Sequence, residues 1–228
     1  MTDSVTAVAA ARDAVALAEA GRGRRVILGL AGPPGAGKST LAEFIVDYAV
    51  ARAREPGAGV GVGTGEPWAA YFPMDGYHLS NAQLRRLGLE HRKGAPATFD
   101  AGGYLAMLSR LAADSGEDVY VPEYDRTLHE PIAGRLLVPG TARLVVTEGN
   151  YLALDEPPWR DARRFIDQLW YVDAADALRE ERLVARQLAG GRTPDEARDW
   201  VGSSDGPNGE LVKLSRENVD RVVTPVPE

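Results

Sequence analysis

The 228-residue sequence contains no cysteine, which removes disulfides, thiolate metal sites and cysteine nucleophiles from consideration. It also lacks any apolar run of about 18 residues, the length a membrane-spanning helix needs. An excess of basic residues is missing too, since 26 Lys and Arg face 33 Asp and Glu for a formal charge of −7. Binding along a nucleic-acid backbone requires a net basic face, so neither nucleic acid nor membrane is expected as a partner. A small anion remains admissible, because a nest of backbone amides with a few cations holds one. Residues 5–20 are Ala-rich but interrupted by Arg12, Asp13 and Glu19, with no basic segment before an apolar core. They do not read as a secretory signal, and a cytoplasmic protein is expected.

What is present is ordinary in bulk, 44% hydrophobic and 26% charged residues, and informative in its order. The length suits a single α/β domain over residues 1–228. A leading helix is expected within residues 1–24 from the spacing of Val8, Ala11, Val15 and Leu17. Residues 25–31, RVILGLA, run into Gly-Pro-Pro-Gly and read as a buried strand. Residues 38–52 place Leu41, Phe44, Ile45 and Tyr48 on one helix face. Glycines alternate from 57 to 65, so residues 54–67 are expected to form a flexible surface loop. The runs at 69–74, 144–147 and 169–172 read as strands that lead into Asp75, Glu148 and Asp173. Residues 119–122 and 135–138 are short strand candidates around an irregular, charged loop. Helices are expected at 81–87, 103–113, 175–188, 194–201 and 210–218, and a last strand at 221–226. Strands alternating with helices predict a doubly wound, mostly parallel sheet flanked by helices.

Gly32, Pro33, Pro34, Gly35, Ala36, Gly37, Lys38 and Ser39, followed by Thr40, fill the pattern G-x-x-x-x-G-K-[ST] between a strand and an amphipathic helix, the context this phosphate-binding loop requires. Glycines let backbone amides approach phosphate oxygens closely, and the helix behind adds free N–H groups and its positive dipole end. Lys38 can then reach the β- and γ-phosphates, and the Ser39 hydroxyl is placed to ligate Mg²⁺. ATP and Mg²⁺ are the expected cofactors. In open α/β sheets ligands sit beyond the carboxyl ends of the strands, where Asp75 and Glu148 also fall. Asp75 is the candidate base for a hydroxyl attacking the γ-phosphoryl group, and Glu148 the candidate to hold Mg²⁺. The competing reading is that each acid only caps a turn, with Asp75-Gly76 as an Asx turn.

These motifs, GPPGAGKST, MDGYHL at 74–79, RKGAPATFD at 92–100 and EGNYLAL at 148–154, together resemble the P-loop kinases related to phosphoribulokinase, uridine kinase and bacterial pantothenate kinase. YDRTLHEPIAG at 124–134 is similar to the branch of nucleoside/nucleotide kinase-like, sugar-transport-associated proteins. The resemblance implies a P-loop NTPase-type fold and a small-molecule kinase that phosphorylates a hydroxyl, with the residue matching Asp75 as base. It also implies an arginine-bearing lid. Arg179, Arg182 and Arg186 share one side of the helix after Asp173, and Arg182 and Arg186 are taken as the pair that meets the nucleotide. Arg126 is assigned beside the phosphate, and Tyr77, His78, Lys93, Tyr124, His129 and Asn150 to the acceptor. Asp205-Gly-Pro-Asn208 is similar to a segment that closes over the site, although Asn208 capping a helix explains it equally well. No NKxD guanine-reading motif occurs. An ATP-binding regulatory or scaffold protein is the alternative, and a homodimer is left open.

Overall fold

A computed structural model describes residues 2–54 and 67–226. The elements are β1 (Thr2–Thr6), α1 (Ala7–Ala20), β2 (Val26–Ala31), α2 (Lys38–Ala53), β3 (Ala69–Pro73), α3 (Asn81–Leu87), α4 (Ala101–Ala112), β4 (Val119–Asp125), β5 (Glu130–Val138), β6 (Leu144–Glu148), α5 (Trp159–Ala162), β7 (Gln168–Val172), α6 (Asp176–Ala189), α7 (Pro194–Trp200), α8 (Gly206–Lys213) and β8 (Arg221–Val226). Six strands form one sheet in the order β1-β8-β7-β2-β6-β3, and every neighbouring pair in it is parallel.

The central strands are apolar at nearly every position because helices cover both faces. Val26, Leu28, Leu30, Leu144 and Val146 pack against α1 and α2 on one face. Ile27, Phe72 and Val145 pack against Tyr104, Leu108 and Leu111 of α4 on the other. Ile27, Leu28, Leu30 and Phe72 are at most 1% exposed, and burying each such side chain is worth roughly 1.5–3 kcal/mol. At the foot of the sheet the buried Arg25 donates to the carbonyls of Ala142 (3.1 Å), Leu111 (3.2 Å) and Pro139 (3.0 Å) and faces Asp114 at 3.7 Å.

Three sequence expectations need correction. The leading segment does not begin as a helix: residues 2–6 are β1, paired in register with Thr2 beside Val222. That pairing is tertiary, so no local period announces it. The segment between 122 and 135 is no irregular loop but the two arms of an antiparallel hairpin, β4 and β5, with a register shift between Val121 and Glu123 that breaks the alternation a strand is read from. The helix expected at 210–218 begins earlier and ends at Lys213. Asn208 is its third residue, and the preceding Asp205 makes no side-chain cap bond. The alternating-glycine loop, apart from its two ends, lies outside the described residues.

The hairpin is seated against the turn that follows β3. A β-carbon on Gly76 would collide with the carbonyl of Pro122 in β4, so only glycine lets the two backbones meet. Gly76→Ala is therefore expected to cost about 1–3 kcal/mol in urea denaturation, whereas Gly202→Ala, where a β-carbon meets nothing within 4 Å, leaves stability unchanged or slightly raised.

Candidate active site

Parallel pairing sets the site. Leu30 of β2 and Pro73 of β3 both stand level with Glu148 of β6, so the loop after β2, the turn after β3 and the end of β6 open on one rim. Gly32 leaves β2 with φ +144, and a β-carbon there would overlap the Val172 carbonyl. Gly35 and Gly37 take φ +79 and +95, left-handed values that turn the chain into the N-terminus of α2. Lys38, the first residue of α2, is 7% exposed and donates from Nζ to Pro33 O (3.1 Å) and Asn150 Oδ1 (2.8 Å). Burial pulls its pKa from 10.5 to about 8, opposed by Glu148 and Asp75.

The two acids have opposite surroundings. Asp75 stands in the 3₁₀ turn Met74–Tyr77. Burial alone would raise it, but the neighbouring His78 and the charges of Arg126, Lys38 and Arg186 prevail and hold it below the usual carboxylate range. Arg126 Nη2 lies 3.6 Å from its Oδ2. Glu148, 3% exposed, is pushed up by burial and by Asp75. It accepts a hydrogen bond from Tyr71 Oη at 2.8 Å and meets the Ser39 hydroxyl. Among the described residues no three His, Asp or Glu gather into a metal cage. Mg²⁺ keeps waters and substrate phosphates and takes few protein ligands. The set that fits it is Ser39 with Glu148, and the amide nest with Lys38 fits a polyphosphate.

Of the residues assigned to the acceptor, several converge beside Asp75. His78 Nδ1 bonds to Asp75 O at 2.8 Å, and its ring lies against Tyr124 and Phe99, with centroids at 4.7 and 4.0 Å. Burial lowers the imidazole pKa. Lys93 Nζ sits 5.2 Å from the Tyr124 ring centre and donates to Asn81 Oδ1 (2.5 Å) and His129 O (2.6 Å). Two assigned residues stand apart. Tyr77 turns into the core against Phe72 and Tyr104. His129 is exposed at the hairpin tip with φ +53, and its carbonyl rather than its ring is used.

The arginines of α6 divide their work. Arg182 Nη1 reaches Gly35 O (3.2 Å) and Ala36 O (3.5 Å), and Arg186 faces Asp205 at 3.8 Å. Arg179, left out of the pair taken to meet the nucleotide, is 5% exposed and braces the loop by donating Nε to Pro34 O at 3.0 Å. Tyr71 was also missed: as an alternating residue of β3 it carried no motif, and only the register with β6 shows its reach to Glu148.

No family model matches the chain. It is 34% identical to YggC of Escherichia coli K12 over 88% of this chain and 78% of that one. It is 30% identical to a Schizosaccharomyces pombe protein named "Putative uridine kinase C227.14", over 88% and 83%. The structure of a "putative fructose transport system kinase" from Silicibacter sp. TM1040 superposes with TM-score 0.76 at 32% identity, covering 92% of this chain and 98% of that one. The chain belongs to the P-loop kinases of the phosphoribulokinase/uridine kinase superfamily. In this kinase the expected fold, a mostly parallel helix-flanked sheet, is the observed one. No helix among its described residues is long and apolar enough to cross a membrane.

The buried lysine gives a signature in the nucleotide-free protein. Its folded pKa, about 8, lies below the ordinary 10.5, so between those values the unfolded chain binds more protons and stability rises with pH. Urea midpoints should climb across that window, by up to about 3 kcal/mol in free energy, and Lys38→Met should remove the climb.

Proposed function

We propose that this kinase transfers the γ-phosphoryl group of ATP to a hydroxyl of a small metabolite, in the range of pantothenate-like compounds, sugars and nucleosides. The observation that carries the reading is the pairing of an ionised, cation-flanked Asp75 with the loop lysine on one rim. A nucleotide-binding scaffold has no use for a second carboxylate held in its charged form there.

The acceptor oxygen attacks the γ-phosphorus, the bond from that phosphorus to the β–γ bridging oxygen breaks, and ADP leaves with that electron pair. The hydroxyl proton passes to Asp75. A carboxylate with a depressed pKa suffices, because little charge builds on the attacking oxygen in a loose transition state. Its main service is to orient that oxygen, which alone supplies several kcal/mol. Lys38, freed from Pro33 O and Asn150, meets the β- and γ-oxygens, and Arg126, Arg182 and Arg186 surround the transferring group with charge. Mg²⁺, when bound, neutralises phosphate charge, and Ser39 and Glu148 are the residues to hold it. The partner in this reading is a small hydroxyl compound, neither a nucleic acid nor a membrane, and the names of the yeast and Silicibacter relatives support a nucleoside or sugar.

Asp75→Asn keeps the shape and loses the acceptor for the proton. Acceptor-stimulated ADP release should fall about 10²–10⁴-fold while a fluorescent ATP analogue binds with nearly its original affinity. Undiminished turnover would exclude Asp75 as the base. Lys38→Ala should lower kcat and weaken ATP together, since its ammonium serves both the bound and the reacting phosphates.

A further inference from the structure

Position 71 lies on the face of β3 that packs with the α2 side of the core. The parallel register sets Tyr71 beside Val146, so Glu148, two residues on in β6, comes to the same face roughly 7 Å further along. A tyrosine leaning along its strand spans that step, and its Oη donates to Glu148 Oε1 at 2.8 Å. The same phenol meets the Ser39 hydroxyl, which also meets Glu148. Tyr71, Glu148 and Ser39 thus close a triangle of hydrogen-bonding groups drawn from β3, β6 and the first turn of α2.

The triangle answers a mechanical need. The last torsion of a glutamate is broad and nearly two-fold, so a carboxylate on its own does not choose which oxygen it presents. A hydrogen bond to Oε1 makes that choice and fixes the plane of the group. Packing alone does not call for the hydroxyl, because phenylalanine fills the same volume on a buried strand face. Groups that hold a metal owe their orientation to outer partners of this kind. The simpler reading is that Tyr71 only satisfies a buried carboxylate and so stabilises the fold, and it leads to different measurements.

We propose that Tyr71 is a positioning residue for the cation site: it holds Oε1 of Glu148 and so leaves the other carboxylate oxygen, together with Ser39, for a divalent cation that arrives with the nucleotide. Tyr71 acts through Glu148 rather than on the nucleotide itself. The inference rests on the reading of Ser39 and Glu148 as the residues that hold Mg²⁺, and it deepens that reading by naming the group that aims them.

The test is the linkage between Mg²⁺ and a fluorescent, non-hydrolysable ATP analogue on the full chain, read from the analogue's affinity in EDTA and along a Mg²⁺ titration. With protein in excess over a trace of analogue, the free Mg²⁺ that produces half of the tightening should rise about 10–100-fold in Tyr71→Phe. The affinity in EDTA should stay within about twofold of the parent. In a Glu148→Gln background, where no carboxylate is left to aim, adding Tyr71→Phe should move the Mg²⁺ midpoint by less than about twofold. An unmoved midpoint, whatever happens to Tm, marks a merely structural bond and overturns the inference. An equal loss of affinity with and without Mg²⁺, or a full further loss in the Glu148→Gln background, places the action of Tyr71 elsewhere and overturns it too, and all three leave the kinase standing. No tightening by Mg²⁺ in the parent chain would overturn the Mg²⁺ assignment beneath the inference, and no nucleotide binding at all would overturn the kinase reading.

Discussion

Register within a parallel sheet is the constraint on which the site depends. Because β2, β6 and β3 run the same way with Leu30, Glu148 and Pro73 at one level, their three exits share a rim without any loop having to search for the others. A one-residue slip would turn Glu148 to the opposite face and replace Tyr71 by Phe72 beside it. The all-buried strand faces prevent that slip, so the same apolar packing that stabilises the fold also aims the carboxylates. Two glycines make the aim tight: Gly76 admits Pro122, and Gly149 admits Met74.

The electrostatics follow from this crowding. Lys38, Glu148 and Asp75 are three ionisable groups withdrawn from water on one rim; Lys38 lowers both acids and Asp75 raises Glu148. Asp75 gathers cations and is held below the usual carboxylate range, whereas Glu148 is pushed up by burial and accepts the Tyr71 hydrogen bond.

Much of this was legible from residue order. The loop at 32–39 announces itself because each position has a backbone or phosphate reason, and Asp75 and Glu148 follow from the rule that ligands meet strand ends. β7 and α6 were found from apolar runs and helical spacing. What stayed hidden depends on partners distant in sequence. β1 exists only through β8. The hairpin arms at 123–134 carry charges because β5 is half solvated, which masks a strand. Arg179 reads as one more charged position on a polar helix until packing shows that it is buried. Tyr77 and His78 are adjacent in sequence, yet one enters the core and the other the pocket, a divergence that only the turn's three-dimensional path decides.

Arg25 has a consequence of another kind. Its guanidinium gathers carbonyls from the end of α4 and from the loop before β6, tying together, at the foot of the sheet, segments that have no part in the chemistry. With the foot clamped, loops at the opposite rim can be exchanged without unfastening the scaffold. The scaffold and the rim are in that sense mechanically separate: the hairpin tip can change length or sequence without loosening the clamp that holds α4 and the loop before β6.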